Sequence, residues 1–479
     1  MKMYKGGAEM YLIDPESQSE FFYDLESLAE RVEELVSGKG YQKLSLLLKD
    51  LPAVDLAELC EQLSREARGV AYRLLPKELA AEVFVEMSAE LCRELIESLT
   101  DAELRETLSE LYLDDTVDII EEMPAGVVKR ILKQSSPDNR AQINELLRYP
   151  KGSCGSIMTT EYVRLTPDMT VDAALRHIKR VAIDKETVYT CYVTDKERRL
   201  IGLVTAKSLL LSELDSELSG IIEENVIYAT TAEDREEVAL KFKKYGFIAL
   251  PVVDNEGRLV GIVTVDDAID VLSEEAEEDF AKMAAITPTD DEYLKTSALS
   301  LFMARIPWLL LLMISATLSS TMLGFFEAAL IPVLVLFVPM LMDSGGNSGS
   351  QASVTAIRAL SVGEIRPRDW YRVISKELLV GVLAGASMAV VAFAKVMLVD
   401  RLIMNNPEVT VAVAVAVSLT LFATVCVAKL IGASLPLLAK AIGLDPAVMA
   451  SPFITTLVDA VSLAVYFVIA GFGFGLKLQ

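Results

Sequence analysis

Histidine is almost absent from this chain of 479 residues, with His177 the only one, and tryptophan occurs twice. Cysteine occurs five times, at Cys60, Cys92, Cys154, Cys191 and Cys426, with no CxxC pair. Zinc, copper and nickel sites draw on imidazole and thiolate, so this scarcity points any bound ion toward oxygen ligands. Magnesium and calcium fit that chemistry, and potassium stays open. Scattered cysteines suit a reducing cytosol rather than a disulfide framework. No Walker loop, nucleophile elbow or His-based metal motif occurs, so the chain is not read as an enzyme. The opening MKMYKGGAEM runs into acidic, mixed sequence without the apolar core of a signal peptide, which predicts a cytosolic soluble part.

Charge and apolarity are unevenly spread. Apolar residues make up 52% of the chain and concentrate after Arg305. From Ser300 onward 11 basic residues face 9 acidic ones, whereas the first 299 residues hold 34 against 60, a net charge of −26. A surface this acidic repels nucleic-acid phosphates and attracts cations, so nucleic acid is excluded as a partner.

Residues 20–150 carry helical periodicity in short hairpins such as LPAVDLAELCEQL and DDTVDIIEEMPAGVVKRIL, with Asp or Pro near the segment starts. This predicts an all-α superhelical domain of stacked helix pairs. Its acids Asp114, Asp115, Asp118, Glu121 and Glu122 read either as a cation-binding cluster or as solvated helix faces.

From 151 to 271 strands alternate with helices, and one unit occurs twice. TVYTCYVTDKERRLIGLVTAKSLLL, from Thr187, parallels FIALPVVDNEGRLVGIVTVDDAIDV, from Phe247, with Gly202 matching Gly261 and Thr205 matching Thr264. The pair resembles tandem CBS domains, an α/β arrangement. In that family a GhhTxxD pattern binds adenine nucleotides such as ATP, which implies a nucleotide site at Gly261, Thr264 and Asp267. The first copy carries Ser208 in place of the acid. A plain packing turn is the alternative.

An acidic helix follows, in the linker of residues 272–297 and the stretch just before it. Asp267, Asp270, Glu275, Glu278 and Asp279 crowd into little over three turns, and such a concentration of like charge calls for a cation or for solvent. Apolar runs near 306–326, 330–360, 374–399, 409–438 and 447–476 are each long enough to span a bilayer, which predicts a five-helix transmembrane domain over 298–479. Arg358, Arg366, Arg368, Arg372 and Lys376 follow the second run, so the N-terminal half is placed inside and the C-terminus outside.

The second run is interrupted by DSGGNSGSQ, from Asp343 to Gln351. Its glycines let the backbone leave helical geometry or let another helix approach closely, and Asp343, Asn347 and Gln351 put oxygens where hydrocarbon is expected. Asp459 stands near the middle of the fifth run with no basic residue in that helix, and Lys395 and Lys429 are the rival partners for it. Asp445, before Pro446, reads as an N-cap and as an acid at the inner mouth of a pore.

The order of acidic helical domain, CBS pair, acidic linker helix and five spans, with GGNSGSQ in the second span and TTLVD in the fifth, resembles the MgtE family of magnesium channels over essentially the whole chain. The resemblance implies a homodimer in the plasma membrane, embedded in lipid, with an ion path on the twofold axis lined by the second and fifth spans. It implies pore roles for Asp459, Asn347, Asp343 and Ser451. It further implies magnesium as substrate and regulator, with Asp459, Asp445, Asp267, Asp270, Glu275, Glu278 and Asp279 as metal ligands and the linker as a plug helix. Three positions depart from some relatives: Asp343 replaces a small residue, Gly246 an acid, and Ser451 an amide. The expected mechanism is an importing channel closed by cytosolic magnesium. Exchange coupled to sodium or protons, and a membrane-anchored nucleotide sensor, are the alternatives.

Overall fold

Eight helix N-caps fall every 12 residues, at Pro52, Ser64, Pro76, Ser88, Thr100, Tyr112, Pro124 and Ser136. Each holds an extended backbone that turns its carbonyl into the following helix, as Pro52 does toward the Leu56 amide at 3.0 Å. Ser64 and Ser136 accept the amide three residues on, and Thr100 closes a capping box with Glu103.

The structure is a computed structural model that describes residues 25–182, 185–289, 293, 296–327, 332–449 and 451–474. Among these, the repeat yields α1 (Leu25–Ser37), α2 (Tyr41–Leu48), α3 (Ala53–Gln62), α4 (Arg65–Leu74), α5 (Lys77–Val85), α6 (Ala89–Ser98), α7 (Asp101–Glu110), α8 (Leu113–Glu122), α9 (Ala125–Gln134) and α10 (Pro137–Leu146). Contacts run mainly between alternate helices, α1 on α3, α3 on α5, α5 on α7, α7 on α9 and α8 on α10, and Leu56, Leu59, Phe84, Leu104 and Ile131 are buried. Arginine forks tie successive turns: Arg68 donates to the Cys60 and Leu63 carbonyls at 2.8 and 3.0 Å, and Arg130 to the Leu99 carbonyl at 2.6 Å. These side chains satisfy helix-end carbonyls that have no partner within their own helix.

Two three-stranded sheets follow. In the first, β1 (Tyr162–Leu165) lies parallel to β2 (Thr187–Thr194), which pairs antiparallel with β3 (Leu200–Thr205). The second repeats this with β4 (Ala229–Thr230), β5 (Ala249–Val253) and β6 (Leu259–Thr264). Helices α11 (Val171–Val181) and α13 (Arg235–Tyr245) connect the parallel strands, while α12 (Ala206–Leu211) and α14 (Val265–Met283) follow the last strands. The paired glycines are packing requirements. A methyl on Gly261 would lie 2.7 Å from the Thr159 carbonyl, and one on Gly202 2.7 Å from the Glu223 carbonyl. The acidic linker stretch is no separate element, because α14 runs unbroken from the end of β6 to Met283.

Two units divide the chain, Met1–Ile269 and Asp270–Gln479. The second contains α15 (Ala298–Glu327), the short α16 (Pro332–Val335), α17 (Val338–Ser361), α18 (Trp370–Lys395), α19 (Val411–Ala441) and α20 (Ser451–Phe474). Among the described residues four stretches are long and apolar enough to cross a membrane, within α15, α18 with its extension, α19 and α20. Helix α17 is long enough but too polar for that criterion, for the reason that drew notice in sequence: the DSGGNSGSQ segment lies inside it. The third apolar run continues past α18 as a π-helical turn over Val396–Ile403. The fifth begins later than its apolarity suggests, since Pro446–Val448 forms a separate 3-10 turn before α20.

Candidate ion path and cation-binding site

The backbone through Asp343–Gln351 stays helical, which decides between the two uses of its glycines. They serve close approach. A methyl on Gly345 would lie 2.6 Å from Ser462 Oγ and 2.7 Å from Thr424, and one on Gly346 2.7 Å from Thr455. Gly432 of α19 sits directly on the Gly349 carbonyl. Helix α17 thus packs on α19 and α20 through a seam of small residues, as membrane helices do where backbones must meet.

The opposite face of α17 is polar. Asp343, Asn347 and Gln351, four residues apart, are exposed, whereas Gly345, Gly346, Ser348, Gly349, Ala352 and Ser353 are buried. Asp459 of α20 stands beside this region, its Oδ1 3.6 Å from where a Gly346 Cβ would sit. That oxygen is buried without a hydrogen-bond partner among the described residues. Neither rival cation reaches it. Lys395 pairs with Asp400 at 2.9 Å and lies 5.6 Å from the Phe337 ring centroid, and Lys429 is buried on α19 without an ion pair among the described residues. The side chain of Ser451 lies outside the described residues.

Asp445 does act as an N-cap, accepting from the Ala447 amide at 2.8 Å, but of the 3-10 turn rather than of α20. Its other oxygen receives Lys282 Nζ at 2.6 Å. Lys282 also reaches Glu278 at 2.5 Å, and Asp279 accepts from Ser361 Oγ, at the end of α17, at 2.7 Å. The five acids predicted as linker ligands all lie on α14, where Asp267 accepts from Thr264, Glu278 pairs with Lys282 and Asp279 accepts from Ser361. Asp270 is exposed and Glu275 half-buried on the same helix.

The residues of the nucleotide motif also make helix-capping contacts. Asp267 accepts from both the amide and the hydroxyl of Thr264 at the start of α14, and in the first copy Thr205 accepts from the Ser208 amide at 3.1 Å. Gly261 packs against the segment at Met158 and Thr159. In this arrangement the Thr264 hydroxyl donates to the Asp267 carboxylate at the start of α14.

A second acidic site assembles within the first unit. Asp114 of α8, Glu161 before β1 and Glu186 before β2 each place a carboxylate oxygen within 4.8 Å of the others, a geometry that can hold a cation. The parallel register brings the last two together, since Tyr162 pairs with Thr187 and the Glu186 amide donates to the Glu161 carbonyl at 3.0 Å. Burial, with Asp115, Asp267, Glu186 and Glu161 nearby, pushes the Asp114 carboxyl well above the usual range. Burial and Asp267 raise Asp115 to about 6 and Asp118 to about 7, and burial with Asp115, Asp266 and Asp267 raises Glu186 to about 7. No lysine or arginine pairs with Asp114, Asp115, Asp118 or Glu186 among the described residues. Asp114 and Asp267 were expected among the acids, whereas Glu161 and Glu186 were not singled out. Their signal was their place immediately before two strands that pair in parallel, which is invisible while β1 is unrecognised.

Comparison with known proteins follows the same division. The family model for the MgtE divalent cation transporter matches residues 338–469, that for the MgtE intracellular N domain 51–152, and that for the CBS domain 154–215 and 218–274. The chain is 37% identical over 451 residues to the magnesium transporter MgtE of Thermus thermophilus, covering 93% of this chain and 98% of that one. It is 32% identical over 335 residues to the magnesium transporter MgtE of Enterococcus faecalis, covering 70% and 72%. The crystal structure of the soluble part of a magnesium transporter matches with a TM-score of 0.50 at 29% identity, over 53% of this chain and 100% of that one. The chain belongs to the MgtE family of magnesium transporters.

Proposed function

We propose that this protein is a homodimeric channel that imports magnesium across the plasma membrane and is closed by magnesium on its cytosolic side. The observation that carries this reading is the exposed stripe of Asp343, Asn347 and Gln351 on a helix whose other face is sealed by glycines. Hydrocarbon is a costly neighbour for such a stripe, so it meets water or a second copy. Helices α15, α17, α18, α19 and α20 make five spans, with the basic residues after α17 inside and the C-terminus outside. Two copies meeting along α17 and α20 enclose a path with Asp459 from each. Magnesium holds its water tightly, and a pair of facing carboxylates attracts the hydrated ion without stripping it. The same pair favours a divalent over a monovalent cation through charge alone.

Closure uses the acids outside the membrane. Asp114, Asp115, Asp118, Glu161, Glu186 and Asp267 converge from four segments, and the raised proton affinities of Asp114, Asp115, Asp118 and Glu186 report how unfavourable the shared charge is. Magnesium bound there offsets that repulsion and holds α8 against the strand ends and the start of α14. Because magnesium binds this packed state preferentially, rising cytosolic magnesium shifts the population toward closure.

Thiol accessibility tests the stripe. In a Cys426→Ser background, Asn347→Cys should react with a water-soluble thiol reagent, cross-link to its counterpart under oxidation, and lose magnesium flux when modified. Val390→Cys, on an exposed apolar part of α18, should stay unreactive. An inert Asn347→Cys beside a reactive Val390→Cys would remove the pore from α17.

A further inference from the structure

Near its end α14 carries one cation among acids. Lys282 Nζ lies 2.5 Å from Glu278 Oε1 and 2.6 Å from Asp445 Oδ2, while Asp279 in the same turn holds Ser361 at the end of α17. We infer that Lys282 is a tethered counter-ion that latches the inner mouth, holding the end of α14 onto Asp445 where a free cation would otherwise have to stand. The inference rests on the channel reading above and assigns to one side chain a part of closure that needs no metal.

Both halves of the latch are oriented before they meet. Glu278 stands four residues before Lys282, the favourable order for a helical ion pair, and steers the ammonium off the helix axis. Asp445 is fixed by its cap to the Ala447 amide, which leaves Oδ2 directed at Lys282. The lysine and the aspartate keep 24% and 34% of their side-chain surface, so the pair is shielded but reachable by a competing ion. Burial pulls the ammonium toward neutrality, but the bonds from Asp445 and Glu278 outweigh it and hold Lys282 charged.

One ammonium therefore serves Glu278, Asp279 and Asp445 together. Without it, three carboxylates crowd at the ends of α14, α17 and the turn before α20, and their repulsion drives α14 away unless magnesium replaces the lost charge. An ordinary pair within one helix would involve Glu278 alone. The bond to Asp445, 163 positions away in sequence, is what makes it a latch.

The test is magnesium flux through the full-length dimer in proteoliposomes, with free magnesium titrated on the cytosolic side. Lys282→Gln should require about three- to tenfold more magnesium to close, the range of a half-shielded ion pair. Lys282→Arg should close at the wild-type concentration. The exchange Lys282→Glu with Asp445→Lys should restore closure to within about twofold, because the attraction is kept with its sign reversed. If Lys282→Gln fails to fold, Lys282→Gln with Asp445→Asn removes the stranded charge and carries the same expected shift. Folded Lys282→Gln that closes at the wild-type concentration would overturn the latch while leaving the channel reading intact. Wild type that carries no magnesium would overturn both.

Discussion

Gly432 and Gly349 show how much of the membrane unit depends on single missing methyl groups. A methyl on Gly432 would meet the Gly349 carbonyl, which is backbone and cannot turn aside, whereas one on Gly345 would meet the side chains of Ser462 and Thr424. Gly432→Ala should accordingly cost about 1–3 kcal/mol of stability in detergent, and Gly345→Ala less, by thermal unfolding of the purified protein. A Gly432→Ala variant as stable as wild type would mean that α17 and α19 do not meet as described. Capping residues act on a similar scale. Thr264 shares its hydroxyl with Asp267 at the start of α14, so Thr264→Ala should cost about 1 kcal/mol. Calorimetric titration of the intact protein with ATP tests the motif: a Thr264→Ala variant that binds ATP more weakly would carry the nucleotide role the CBS resemblance implies, and unchanged affinity would leave Thr264 a helix cap alone.

Helix α8 and the strand ends facing it set the behaviour of the acidic cluster. Asp118 and Glu186 have folded values of about 7, above their ordinary 3.8 and 4.5, so the folded protein binds protons more tightly than the unfolded chain. That contribution to stability is complete below the ordinary values and is lost as pH rises through 7. Without magnesium the thermal midpoint should therefore fall between about pH 5 and pH 8, and magnesium should restore it at pH 8 with little effect at pH 5. Asp118→Asn should flatten the pH dependence and weaken the response to magnesium. A midpoint that rises toward pH 8 without magnesium would contradict the cluster. At this scale the sequence was unevenly legible. The helical hairpins showed in helical periodicity with Asp or Pro near the segment starts, and the second and third strands of each sheet showed in the unit that occurs twice, from Thr187 and from Phe247. Strands β1 and β4, four and two residues long, lie outside that repeated unit, and the acids positioned by β1 stayed hidden with it. Contacts such as Lys282 with Asp445 were equally out of reach, because no local spacing relates residues so far apart. The polar stripe of α17 was legible as a motif, but only packing showed which of its residues face the protein and which face away.

In the whole molecule, charge and apolarity are segregated: a net of −26 before Ser300 and a polar-striped, otherwise apolar helical unit after it. On the proposed function the acidic half responds to cations by shifting between splayed and packed arrangements, and the helical unit offers carboxylates along a path through the membrane. The most direct test is magnesium influx into proteoliposomes holding the cytosolic half inside, under an inside-negative potential and at several internal magnesium concentrations. Wild type should admit magnesium, rising internal magnesium should suppress the influx, and Asp459→Asn should lower it by about tenfold or more, as expected when a pore loses the paired charge that attracts its ion. Influx that Asp459→Asn leaves unchanged would contradict the account.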